Sequence, residues 1–230
     1  WGNTLLFTFG KLPVELPLAL FIALCLRNRL KGAGFFRAVF YLPCVISVAI
    51  VGLIFSNLFD YFGFINAWLM RLGLTEAPVD FFSDPRLARL ALIIGSVWSS
   101  FGVNVLYFIA ALSNVPEELY ECAKLDGASG WMTFRKITLP MIAPVFSTIL
   151  LLAINGTLHT SEYILVTTKG APHGSTYTVM AYVVDKFVPG FAEAGVNVGY
   201  GCALALVTAV MMGLIAVLYS KLTARLQEIY

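Results

Sequence analysis

Charge is what this 230-residue sequence is short of: Asp, Glu, Lys and Arg make up 12% of it, about half the share usual in a soluble domain. Its 15 basic and 13 acidic residues leave a net charge of +2 and no continuous basic surface, which excludes nucleic acid as a partner. Histidine occurs only 2 times and cysteine 4 times. Cys25, Cys44, Cys122 and Cys202 are far apart, and three of them sit in apolar runs where a thiol behaves as a small hydrophobe. We read no disulfide, no redox site and no metal site from them. No Gly-x-x-x-x-Gly-Lys-[Ser/Thr] occurs, so the sequence offers no backbone cradle for nucleotide phosphates. No paired His and Glu and no Ser–Lys dyad converge, which removes an intramembrane enzyme and leaves no catalytic residue to name.

Apolar residues are what the sequence has in excess, at 59%, with a mean hydropathy of +0.84. Lipid is the solvent such a chain requires, and the fold class is an all-α membrane protein. A helix rises about 1.5 Å per residue and the hydrocarbon core is about 30 Å thick, so runs of roughly 20 apolar residues are candidate spans. Five occur, at 4–26, 36–59, 87–112, 141–166 and 198–222. Asn155, Thr157, His159, Thr160, Ser161 and Glu162 interrupt the second half of the fourth.

Basic residues are retained on the cytoplasmic side. The segments after the first, third and fifth spans collect nine: Arg27, Arg29, Lys31, Arg37, Lys124, Arg135, Lys136, Lys221 and Arg225. The opposite side collects five: Arg71, Arg86, Arg89, Lys169 and Lys186. This count places the C-terminus in the cytoplasm and the visible N-terminus outside. Because the chain starts at Trp1 and is already strongly apolar from Leu5, we expect a fragment of a six-span parent that lacks its first span. The expectation is one transmembrane domain over residues 1–230, with a cytoplasmic loop at 113–140. In the external segment 60–86, Phe64, Ile65, Trp68, Leu69 and Leu72 fall at helical spacing. They fit either a short interfacial helix or a loop capping the spans.

The cytoplasmic loop carries the most specific pattern. Pro116 suits a first helical position, Glu117 and Glu118 complement the positive end of the helix dipole, and Gly127 suits the left-handed residue that ends a helix. Leu119, Cys122, Ala123 and Asp126 share one face, a stripe of mostly small residues that another backbone can approach. Trp131, Phe134 and Ile137 predict a second helix, and Pro140 biases Leu139 away from helix at the entry to the next span.

Glu121-Cys122-Ala123, three residues, Gly127, nine residues and then Ile137-Thr138-Leu139-Pro140 resembles the signature loop of binding-protein-dependent ABC importer permeases. Cys122 stands where that family usually has Ala. Asn3-Thr4-Leu5, Gly34 to Pro43, Phe81 to Pro85 and Thr168-Lys169-Gly170-Ala171-Pro172 extend the resemblance to the sugar branch, with Ala171 replacing a Gly. The resemblance implies a coupling helix seated in a cleft of an ATPase subunit, with Glu121 and Gly127 at its centre. The contact group would also include Glu117, Glu118, Leu119, Tyr120, Cys122, Ala123, Asp126, Ala128, Ile137, Leu139 and Pro140. It further implies a bacterial inner-membrane location, a second permease subunit, two ATPase subunits that use ATP and Mg, and an extracytoplasmic solute-binding protein. This chain itself would hold no cofactor and would not be an enzyme.

A hydrophilic solute crossing lipid needs polar or small groups on the bundle interior. Ser96, Ser99, Ser100 and Val103 recur at helical spacing on the third span, and Ala153, Gly156, Thr157 and Thr160 on the fourth. The same residues equally serve close helix packing. Asn104, Asn155, His159 and Glu162 are further polar candidates. Lys11 and Glu15, four apart in a stretch that Pro13 and Pro17 loosen, fit an internal ion pair that neutralises both charges. A carrier driven by an ion gradient is the rival reading; it requires inverted repeats and several intramembrane carboxylates, and only Glu15 fits. The solute class stays open among disaccharide, oligosaccharide, polyol and glycerol phosphate.

Overall fold

The computed structural model describes residues 1–27, 32–188 and 196–228, with the side chains of Phe187 and 224–228 left aside. Arg29 and Lys31, and the side chain of Arg225, all counted above for orientation, lie outside the described residues. All the regular elements described are helices. Four are long and apolar enough to cross a membrane, or up to five if a bent pair counts as one span.

The first span is α1 (Gly2–Arg27), which remains one helix although Pro13 and Pro17 each withhold a backbone donor. The third is α5 (Pro85–Ser113), started by Pro85 and by Asp84, whose side chain accepts from the backbone N–H groups of Arg86 and Leu87. The fifth span is α11 (Val198–Glu228), held to the bundle in part by the Tyr219 hydroxyl, which donates to the Ser147 carbonyl at 2.6 Å.

The second and fourth spans differ from the sequence expectation. Residues 36–59 form two helices, α2 (Ala33–Val45) and α3 (Val48–Leu58), at 90° to each other. Pro43 withholds its donor in the last turn of α2, and the Ile46 N–H closes a tight turn onto the Pro43 carbonyl at 3.3 Å. Ile46 and Ser47 are then extended, with ψ 136° and 135°. Packing completes the bend, since α2 lies on α5 while α3 lies on α9 (Glu162–Thr167).

The fourth span does not run to Val166. It ends at Leu158 as α8 (Leu139–Leu158), and α9 follows a break at residues 159–161. The Thr160 carbonyl, freed there, accepts from the Thr178 hydroxyl at 2.7 Å, and Thr178 also caps α10 (Val179–Phe187) through the Ala181 N–H. Local polarity made the break possible, and a hydrogen bond 18 residues away stabilises it.

In the segment 60–86 a short helix and a cap coexist. A short helix, α4 (Phe64–Arg71), leaves Phe64 and Trp68 exposed while Ile65 and Leu69 pack inward. Asn66, buried on that helix, donates to the carbonyls of Asp60, Tyr61 and Val79 and accepts from the Val79 N–H, which stitches the segment into a cap.

Two apolar clusters hold the bundle. One joins Leu16, Ala19 and Ala23 of α1 to Phe101, Val105 and Phe108 of α5 and Ile142 and Ile149 of α8. The other, at the opposite end, joins Phe7, Val51, Phe55, Leu92, Tyr163 and Ile164. Lipid is as apolar as these side chains, so close packing rather than expulsion of water holds such helices together. Small residues permit it: Ala19, Ala23, Ala88 and Ala91 are fully or almost fully buried.

Candidate functional site

At the end of the bundle that carries the charged loop, α6 (Glu117–Leu125) lies against the spans. Pro116 precedes the helix with ψ 136°, one position earlier than the sequence predicted. Its termination follows the expectation. Gly127 has φ +68°, its N–H reaches the Lys124 carbonyl at 3.1 Å, and the Ala128 N–H reaches the Ala123 carbonyl at 2.9 Å. That pair of bonds satisfies the last carbonyls of α6 and turns the chain sharply.

The predicted docking stripe divides. Leu119, Cys122 and Asp126 are exposed, together with Glu117, Glu118, Glu121 and Gly127. Ala123 is buried and Tyr120 half-buried, so these two do not belong to the outer face. The Tyr120 hydroxyl pairs with the Thr138 hydroxyl at 3.1 Å, and the Arg27 guanidinium lies 3.9 Å over the Tyr120 ring. Tyr120 and Ala123 therefore seat α6 on the spans. A residue that spacing did not single out, Leu125, projects outward at 88% exposure, and Trp131 follows at 69%.

Beyond the turn, α7 (Gly130–Thr133) and a π-helical turn (Phe134–Thr138) run directly into α8. Leu139 is helical, with φ −60° and ψ −48°, contrary to the predicted interruption before Pro140. The Leu139 N–H bonds five residues back to Phe134, and that widened turn accommodates the proline ring that a regular α-helix would reject. Ile137, Leu139, Pro140 and Ala128 are half-buried at this junction.

The second site lies within the bundle. Ser96, Ser99, Ser100 and Val103 of α5, Ala153, Gly156 and Thr157 at the end of α8 and Thr160 in the break after it all line one cavity of about 410 Å³. The two stripes, read separately from the sequence, face each other. Asn104 joins them, whereas Asn155, His159 and Glu162 are not among the lining residues. The cavity also takes in Lys11, Glu15, Cys44, Tyr107 and Tyr163. A Cβ added at Gly156 would meet nothing within 4 Å, so that part of the wall is open. Thr157 turns its hydroxyl back to the Ala153 carbonyl at 2.8 Å, and Ser99 turns to Ser96 at 3.0 Å. Asn104 donates to one carboxylate oxygen of Glu15 at 2.8 Å, and the Ser100 hydroxyl lies 2.7 Å from that same oxygen and 2.7 Å from the Ser96 carbonyl, either of which can take its one proton. Among the described residues no group of three or more His, Cys, Asp or Glu side chains is placed to hold a metal.

Residues 15–227 match the family described as the binding-protein-dependent transport system inner membrane component. The chain belongs to that family. A lactose transport system permease protein, LacF, of Rhizobium radiobacter is 32% identical over 84% of this chain and 66% of its own length. A trehalose/maltose transport system permease protein, MalF, of Thermococcus litoralis is 32% identical over 95% of this chain and 72% of its own. In structure, the chain superposes with a TM-score of 0.85 on a chain from a bacterial alginate ABC transporter in complex with an alginate pentasaccharide-bound periplasmic protein. That chain is 24% identical, and the match covers 97% of this one and 77% of it. The chain thus spans about two thirds to three quarters of the length of these relatives.

The sequence singled out the loop around Gly127 and the two stripes, and the structure adds the rest of the cavity wall. Lys11, Glu15 and Cys44 were within reach of the sequence only as unusual residues in apolar runs. Nothing in their spacing shows that α1 and α2 face the same cavity as α5 and α8.

Proposed function

We propose that this chain is the transmembrane subunit of an ATP-driven importer for a carbohydrate or related solute, contributing half of the translocation path. The observation that carries the reading is the convergence of both polar stripes on one cavity in a chain of this family. The rival reading, a carrier driven by an ion gradient, gains no support from the family or the relatives. The solute itself belongs to the class that the relatives' names describe, lactose and trehalose/maltose among them.

In this reading α6 is the coupling helix, seated on ATPase subunits that bind ATP and Mg, and its side of the bundle, with the C-terminus, faces the cytoplasm. A second permease subunit completes the path, and a solute-binding protein delivers from outside. ATP-driven closure of the ATPase pair moves α6, and the bundle exchanges between inward-open and outward-open states through differential binding of its partners. Tyr120 and Ala123 transmit that movement because they tie α6 to the spans, while Leu119, Glu121, Cys122, Leu125 and Gly127 make the contact.

Reconstitution of the complex in proteoliposomes tests this directly. Uptake of lactose, trehalose or maltose is expected only with the ATPase subunits, ATP and the binding protein present together. Uptake that proceeds without the ATPase subunits sinks the proposal. Two variants separate its parts. Leu125→Asp places a charge on the outer face of α6 and should weaken binding of the ATPase subunits about tenfold, as loss of a buried apolar contact predicts, by pull-down titration. Gly156→Leu fills open wall and should cut uptake strongly while the ATPase subunits still bind; unchanged uptake removes Gly156 from the path.

A further inference from the structure

The Lys11–Glu15 pair holds less closely than a self-sufficient ion pair would. The Lys11 ammonium lies 3.5 Å from Glu15 Oε2, beyond the roughly 2.7–2.9 Å of a charge-assisted hydrogen bond. Glu15 Oε2 has no hydrogen-bond donor from the described residues, although Glu15 is only 1% exposed and Lys11 5%. The other oxygen, Oε1, already accepts from Asn104 and lies 2.7 Å from the Ser100 hydroxyl. All four side chains line the cavity. An ammonium carries three donors, and one loose contact leaves its capacity largely unused. A buried carboxylate oxygen without a donor is costly, so the arrangement favours whatever supplies one.

We infer that Lys11 and Glu15, with Ser100 and Asn104, form a subsite for the hydroxyl groups of a neutral polyhydroxylated solute. This rests on the importer reading above. A solute O–H donates to Glu15 Oε2 while its oxygen, or that of a neighbouring hydroxyl, accepts from Lys11 Nζ, inserting as the loose pair parts. The two charges cancel, so an incoming carboxylate or phosphate gains no net attraction and meets Glu15 as a like charge. The subsite therefore selects uncharged sugars over acidic ones. Glu15 also acts as a positioning residue, fixing Ser100 and the Asn104 amide against α1 so that their remaining polar atoms turn to the solute.

The test uses the reconstituted complex and whichever of lactose, trehalose and maltose the unaltered protein takes up. Glu15→Gln keeps the shape and one acceptor, and it should raise the uptake KM about tenfold with a smaller change in kcat. Exchanging the two residues, Lys11→Glu with Glu15→Lys, preserves the pair but reverses donor and acceptor, and should not restore the KM. An unchanged KM for Glu15→Gln, or full recovery in the exchanged variant, overturns the inference and makes the pair an internal tie alone. Should Glu15→Gln reduce the inserted amount, KM is still read on the protein that inserts. Failure of the unaltered complex to take up any of the three sugars with ATP and the binding protein overturns the importer reading, and this inference with it.

Discussion

Gly127→Val is expected to abolish uptake while leaving the protein inserted in the membrane. The backbone at Gly127 has φ +68°, a conformation that costs an L residue about 1–2 kcal/mol and a β-branched one more. Both hydrogen bonds that close α6 depend on that conformation, the Gly127 N–H to Lys124 and the Ala128 N–H to Ala123. No neighbour in the chain lies within 4 Å of a Cβ built there, so folding of the spans is not obstructed. What changes is the end of α6 and its outer face, where the proposal places the ATPase contact. Gly127→Asn should retain most uptake, because asparagine enters the left-handed region more readily than other side chains. The measurement is ATP-dependent uptake normalised to inserted protein. Equal uptake by the valine variant and the unaltered protein would remove α6 from the coupling path.

Gly102→Val should act at an earlier stage and remove the folded protein. At Gly102 the backbone of α5 crosses that of α2 so closely that a Cβ would overlap the Phe40 carbonyl and come within 3.0 Å of the Cys44 sulfur. A carbonyl in a helix cannot rotate out of the way, so the helices must separate. Overpacking of this kind costs about 1–3 kcal/mol where a core can relax, and a backbone obstacle puts this site at or above that range. In lipid no release of water compensates for the lost contact. Detergent-extracted protein should fall to a small fraction of the normal monodisperse amount on size exclusion, with Gly102→Ala intermediate. Gly156→Ala is the control, since its Cβ enters open space and should leave the amount unchanged. Similar yields for Gly102→Val and Gly156→Ala would refute the close crossing.

The contrast between these glycines shows where sequence reasoning reached and where it stopped. Gly127 was legible because its job is local: a run of helix formers, a glycine and a turn define a C-terminal cap within a few residues. Gly102 was not, because its constraint comes from a carbonyl 62 positions away along the chain, the difference between 102 and 40. The stripes on the third and fourth spans were legible as stripes, since helical spacing alone puts Ser96, Ser99 and Ser100 on one side. That they face each other across a cavity required the tertiary arrangement. Ala123 was assigned to the outer face because i, i+4 spacing from Leu119 identifies residues that share a side but not which side is free, and Tyr120 entered the contact group through the resemblance alone.

The family was reached through the resemblance of the loop motif; what this sequence determined by its composition and local chemistry is the solvent it needs, the approximate extent of the first, third and fifth spans and the capped helix before Gly127. Those follow from composition and from hydrogen bonds made within a turn or two, which the order of residues encodes directly. The structure alone decided that 36–59 bends at Ile46, that the fourth span stops at Leu158, that Leu139 continues a widened helix through Pro140, and that Lys11 and Glu15 join Ser100 and Asn104 on one wall. Each of these depends on a partner distant in the chain or on a choice among locally permitted conformations. Local chemistry leaves that choice open, and packing between helices makes it.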